Sequence, residues 1–208
     1  MPKRNLVKKY GEEQYYHVYN RGVDKQPIFK EEDDYWYFLS LFKRHLSLEV
    51  ETNSAGYQFK NYKNEVELIA FCLMPNHYHL LCYLKDPNGL RRLMQSVMTA
   101  YTMYFNKKYN RVGSLYQGIF LAAHVSTDEY LWHVSRYIHL NPVDIDVDFR
   151  MYPYSSIDYF IGSKRAAWIN AERLVETEVE RQRYAEFVAD YNEMHQQLHA
   201  IKHSLANP

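Results

Sequence analysis

Two apolar runs stand almost end to end in the middle of this chain. Val66 to Leu73 is apolar but for Glu67, Met74-Pro75-Asn76 ends it in a turn signal, and His77 to Leu84 (HYHLLCYL) follows at the same length. Apolar runs this short, bounded by a turn signal, read as buried strands. A break of three residues leaves no room for the long crossover that parallel pairing needs. The two strands must therefore turn back on each other as an antiparallel hairpin, and the rest of the chain has to cover it.

The flanking segments supply that cover. Gln14 to Asn20 (QYYHVYN) is aromatic and β-branched and predicts a strand, closed by the turn Asn20-Arg21-Gly22. Glu31 to Leu48 predicts a helix: acids fill its first turn, and Tyr35, Phe38, Leu39 and Phe42 share one face. Residues 51–65 are polar and predict a loop or hairpin tip. Gly89 to Tyr109 predicts a long helix with Leu90, Leu93, Met94, Val97, Tyr101 and Tyr104 on one face. Residues 115–125 predict a strand or an extended arm. Thr127 suits the N-cap of a helix reaching about Leu140, where Pro142 disfavours continuation past Asn141. Residues 149–162 are aromatic and turn-rich, and about Asn170 to His203 is helical in composition. The order β-α-β-β-α-β-α fits an antiparallel α+β sandwich better than a parallel sheet. We read residues 1–162 as one domain and 163–208 as a helical C-terminal extension.

At 208 residues the chain suits one domain with an appendage. Its 25 basic and 25 acidic residues cancel, so no global field advertises nucleic acid. The charge is segregated, however. Lys3, Arg4, Lys8, Lys9, Arg21 and Lys25 precede Lys30, and Lys85 to Thr127 holds six Lys and Arg against Asp86 alone. The acids cluster at Glu31 to Asp34, at Asp144 to Asp148 and in the C-terminal segment. Tyr101, Tyr104, Tyr109 and Tyr116 lie in the basic stretch, either as stacking platforms for single-stranded DNA or as core. Two cysteines, Cys72 and Cys82, fit a reducing compartment. No apolar run follows the N-terminus, and the longest, Leu68 to Pro75, is far below the roughly 20 residues of a membrane helix. A cytoplasmic protein without a membrane partner is expected.

Within the second hairpin strand, His77 and His79 lie at i and i+2 and so on one face, where two imidazoles can share a divalent metal. The same spacing also serves packed histidines. On the helix after Thr127, Tyr137 and Asn141 are one turn apart, and His133 extends that face by a further turn. His133 is either an auxiliary proton acceptor beside Tyr137 or a packed residue. His139 points to another face. His195, His199 and His203 repeat every four residues, which suits adventitious metal or, more simply, a solvated helix face.

Three segments, YHVYNRG (16–22), FCLMPNHYHLL (71–81) and RYIHLNPV (136–143), closely resemble the REP-associated tyrosine transposases, relatives of single-strand insertion-sequence transposases within the HUH nucleases. GSLYQG (113–118) and YPYSS (152–156) are also similar. The resemblance runs in order from about residue 14 to residue 162. It implies a ferredoxin-like sheet with helices packed on it, a divalent ion (Mg²⁺ or Mn²⁺) held by His77 and His79, Tyr137 as nucleophile and Asn141 as third ligand. It implies cleavage and rejoining of single-stranded or hairpin DNA, such as repeated extragenic palindromes, through a 5′-phosphotyrosine. It makes Arg21, Arg91, Arg92 and Gln117 candidates for DNA contact. The REP-associated group implies a monomer, while mobile-element relatives exchange the tyrosine helix within a dimer. A replication initiator or relaxase shares the chemistry, although a tyrosine C-terminal to the metal pair argues against a relaxase. A DNA-binding regulator without catalysis is the remaining alternative.

Overall fold

The computed structural model describes residues 9–162 and 164–191. Four strands form one antiparallel sheet: β1 (Gln14–Arg21), β2 (Val66–Met74), β3 (His77–Leu84) and β4 (Leu121–Val125), in spatial order β2-β3-β1-β4. With α1 (Glu32–Leu46) between β1 and β2 and α2 (Gly89–Lys108) between β3 and β4, this is the expected ferredoxin-like topology. The β2–β3 hairpin closes over two residues, with Met74 opposite His77.

All nine residues of β2 are buried because both sheet faces are covered. On one face α1 and α2 bring Phe38, Phe42, Leu93 and Val97 against Val18, Phe71, Leu80 and Cys82. On the other, α3 (Asp128–Leu140) packs Leu131, Val134 and Ile138 against Ile69, Cys72 and Leu81. A register shift between Leu68 and Ala70 lets Ile69 and Ala70 face the same core, as a β-bulge does. Although β2 is an edge strand, its edge is occupied. Leu73 N–H donates to the Tyr154 carbonyl, Ser156 N–H to the Phe71 carbonyl and Asn170 N–H to the Leu68 carbonyl, at 2.8–3.0 Å.

Local capping sets the helix limits. Glu31 and Asp34 form a capping box at α1. The buried Asp34 carboxylate also accepts from Tyr104 and Tyr109 hydroxyls and Lys108, joining the start of α1 to the end of α2. The Thr127 hydroxyl accepts the Tyr130 N–H at the start of α3. Two expectations change. The strand expected over 115–125 is confined to Leu121–Val125, because residues 116–118 bond instead to the end of β1. The C-terminal helix starts at 178 rather than about 170, where Thr177 and Glu180 make reciprocal capping bonds.

The chain after α4 (Ile157–Phe160) returns across the sheet. Arg173, Asn170 and Lys85 meet the buried Glu67 carboxylate on β2. Residues 178–191 (α5) lie against α3, with Tyr184 and Val188 buried and the Arg136 guanidinium sandwiched between the rings of Phe187 and Tyr191. His195, His199 and His203 lie outside the described residues. Among the described residues no helix is long and apolar enough to cross a membrane.

Candidate active site

The hairpin turn decides where the histidine pair begins. The Pro75 carbonyl accepts the N–H groups of Ile28 and Phe29, and the Asn76 carbonyl accepts that of Gly22 at 2.8 Å. Gly22 has no room for a side chain in its own turn: a Cβ there would lie 2.1 Å from the Gln26 carbonyl oxygen. Beyond the pinned turn, alternation along β3 sends His77 and His79 to the face beneath α3. Across the sheet Arg21 pairs with His77 and Tyr19 with His79, so β1 contributes Arg21, Tyr19 and His17 to the same face.

Tyr137 comes down from α3 onto this cluster. Its ring meets those of His79 and His17 edge-on, with centroids 5.3 and 5.8 Å apart, while half of the residue stays exposed. Pro142 does not turn Asn141 out of register. Asn141 keeps helical angles (φ −51°, ψ −36°) and leads into a 3₁₀ turn over Asn141–Ile145. Its side chain therefore stays beside Tyr137 and reaches His77.

The donor set can be assigned from its hydrogen bonds. The Asn76 amide donates through Nδ2 to the Lys25 carbonyl, so its Oδ1, 2.6 Å from His77 Nδ1, is an acceptor. His77 must then carry its proton on Nδ1, which leaves a lone pair on Nε2. Asn141 donates through Nδ2 to the Tyr137 carbonyl at 2.8 Å, so its Oδ1 faces His77 Nε2 at 3.4 Å. Two acceptors facing each other with no proton between them suit a shared cation. His79 stands beside them, its ring 5.0 Å from that of His77. Burial depresses the basicity of both imidazoles, helped at His79 by the neighbouring His17 and His77, so both are neutral at neutral pH. The residues fit a divalent ion bound by two imidazoles and one amide oxygen. Among the described residues no three His, Cys, Asp or Glu side chains converge as a metal-holding group.

An open groove of about 820 Å³ leads to this point, lined by His77, His79 and Tyr137 together with Arg21, Lys25 and Gln117. Arg21 donates through Nε to Gln117 Oε1 at 2.6 Å, and Gln117 N–H bonds the Arg21 carbonyl. A second cavity of about 400 Å³ lies on the other flank of Tyr137, lined by His133, Arg136, Asn141 and Asp144. Burial raises the Tyr137 pKa, and the Asp144 carboxylate raises it further.

The structure thus brings together His77, His79, Tyr137, Asn141, Arg21 and Gln117. It does not bring Arg91 and Arg92 there. They start α2, beyond the far end of β3, and Arg92 is ion-paired with Glu65 and Asp86. His133 bonds Arg136 at 2.8 Å and packs against Phe187. His139 is buried between Tyr184 and Ser156. Tyr101 and Tyr116 are core, and Tyr104 and Tyr109 are tied to Asp34, so none is a free stacking platform. The sequence reading passed over His17, whose Nε2 lies 2.9 Å from His79 Nδ1. Its alternation with Tyr19 and Arg21 along β1 was the available signal.

Residues 40–141 match the family model described as transposase, IS200-like. The chain carries an IS200-like transposase domain. The matched stretch includes His77, His79, Tyr137 and Asn141. Among solved structures, the domain is similar to a REP-associated tyrosine transposase bound to a REP hairpin, at 13 % identity and a TM-score of 0.53, covering 76 % of this chain and 92 % of that one. That likeness shows the shared fold. A candidate transposase from Deinococcus radiodurans R1 aligns at 15 % identity over 66 % of this chain and 95 % of that one, with a TM-score of 0.39. No curated protein matches the sequence.

Proposed function

We propose that this transposase domain is a metal-dependent endonuclease and strand transferase for single-stranded DNA, acting on hairpin DNA of the repeated extragenic palindrome kind. The observation that carries the reading is the convergence of Tyr137 from α3 with His77 and His79 from β3 at the head of a groove bearing Arg21 and Lys25. The structural neighbour bound to a REP hairpin supports the substrate class.

In this reading the groove binds the DNA backbone through Arg21 and Lys25 and offers a phosphodiester to Tyr137. The Tyr137 Oη attacks phosphorus in line, its proton leaving to solvent or a neighbouring base. The new O–P bond forms as the P–O3′ bond breaks, which yields a 5′-phosphotyrosine and a free 3′-hydroxyl. A second 3′-hydroxyl reverses the step and joins strands without an external energy source. His77, His79 and Asn141 would hold Mg²⁺ or Mn²⁺, and the bound ion would polarise a phosphate oxygen and offset the charge that develops there. Imidazole ligands suit Mn²⁺ better than Mg²⁺. We read the protein as a monomer with Tyr137 acting in cis, since α5 of the same chain packs on α3.

The test is a hairpin oligonucleotide with a single-stranded flank, incubated with protein and Mn²⁺. Wild type should give a covalent adduct on a denaturing gel, and Tyr137→Phe should give none while still binding the oligonucleotide. An undiminished adduct with Tyr137→Phe would remove Tyr137 as nucleophile, and no adduct from wild type would favour a binding protein.

A further inference from the structure

We infer that His17 is a positioning residue for His79, holding that ring so that its Nε2 lone pair faces the metal position. This rests on the metal reading of the site proposed above. The two rings meet edge to edge, with centroids 5.0 Å apart and planes at 28°, and His17 Nε2 lies 2.9 Å from His79 Nδ1. His17 sits diagonally across from His79, because β1 pairs Tyr19 with His79 and His17 with Leu81. Each neutral imidazole carries one N–H, so a 2.9 Å contact between ring nitrogens needs one donor and one acceptor.

Only one assignment leaves His79 able to bind a cation through Nε2. His79 keeps its proton on Nδ1 and donates it to His17 Nε2, and His17 carries its own proton on Nδ1. The other ligand is held alike, with His77 Nδ1 against Asn76 Oδ1 and Nε2 turned to Asn141. Both histidines are thus gripped through Nδ1 by a neighbour outside the ligand set, which is how metal-ligating histidines are ordinarily oriented. His17 is not itself a ligand in this arrangement, because its Nε2 is occupied by His79. Its edge-on contact with Tyr137 adds that the same ring packs beneath the nucleophile.

The test uses the full chain and Mn²⁺ alone, by titration calorimetry, with nitrogen NMR of the histidine rings. A Gln at position 17 can place an amide oxygen where His Nε2 stands, an Asn is one methylene too short, and a Leu fills the space without an acceptor. His17→Leu and His17→Asn should bind Mn²⁺ roughly 10- to 100-fold more weakly, and His17→Gln should recover to within a few-fold of wild type. In metal-free wild type, His79 should carry its proton on Nδ1. Wild-type affinity in His17→Leu, or a Gln variant as weak as the Leu variant, overturns the inference. So does a wild-type His79 protonated on Nε2, which is read without any variant having to fold. Wild type that takes up no Mn²⁺ while keeping the Nδ1 tautomer identifies a failure of the metal reading, and the positioning role falls with it.

Discussion

His77 and Asn141 approach to 3.4 Å, Nε2 to Oδ1, across the gap between strand β3 and the end of helix α3. Both atoms are acceptors once the partners on their far sides are counted, so the gap between them is electron-rich. Replacing Asn141 with Ala removes one acceptor and also its Nδ2 bond to the Tyr137 carbonyl. We expect the Mn²⁺ concentration that half-saturates DNA cleavage to rise by about tenfold or more. Asn141→Asp, which adds a charge at the same reach, should lower it. A half-saturation point unchanged in Asn141→Ala would exclude Asn141 from the ligand set.

As the proposed nucleophile Tyr137 has to lose its proton, and the site makes that loss harder. Burial raises its pKa, and Asp144, three residues beyond Asn141, adds to the rise through its negative charge. Removing that charge in Asp144→Asn should lower the Tyr137 pKa. The pH profile of adduct formation should move towards lower pH, with a severalfold faster single turnover on its alkaline-rising limb. A shift in the opposite direction would mean that Asp144 assists the reaction, as a base or a ligand, more than it opposes phenolate formation.

Arg21 and Arg92 separate two kinds of basic residue. Arg21 is exposed in the groove and bonded to the neutral Gln117, so its charge is available to a phosphate. Arg92 is paired with Glu65 and Asp86. Arg21→Ala should weaken binding of the hairpin oligonucleotide and reduce the salt dependence of binding by about one phosphate contact. Arg92→Ala should leave both within about twofold. Fluorescence anisotropy across a salt series reads both quantities, and an Arg92 variant with the larger effect would move the DNA to the α2 end of the molecule.

These contrasts show what the sequence could carry. The hairpin, the Thr127 cap and the shared face of Tyr137 and Asn141 follow from local periodicity, which backbone geometry enforces within a few residues. The α1–α2 face, including Tyr101, followed from 3.6-residue spacing. The pairing of Arg92 with Glu65 required a partner 27 positions away, and that of His17 with His79 one 62 positions away. No spacing rule within one strand or helix encodes such contacts, which arise from strand order and register. Asn141 was a conflict between two local rules. Proline disfavours helical angles in the residue before it, yet a 3₁₀ turn continued the helix and kept the amide at the site.

His139 supplies a prediction about acid stability. It is fully buried: Nδ1 donates to the Tyr184 hydroxyl at 2.7 Å, and Nε2 lies 2.8 Å from Ser156 Oγ. Tyr184 passes its own proton on to Ser135, so its hydroxyl accepts from His139 Nδ1. Burial pushes its pKa down to about 3 from an ordinary value of 6.5. Between those two values the unfolded chain binds a proton that the folded chain refuses. Stability is therefore fully present above about pH 6.5 and falls as the pH drops towards 3, by about 1.4 kcal/mol per pH unit for this one group. Because His139 joins α3 to α5 and to the Ser156 loop, the loss should loosen the element that carries Tyr137. His139→Gln keeps a polar side chain without a titrating ring. Its unfolding free energy, measured in urea at pH 6, 5 and 4, should fall less steeply with acid than that of wild type, by about one proton's worth of slope. Parallel slopes for the two proteins would show that His139 does not govern this part of the acid transition.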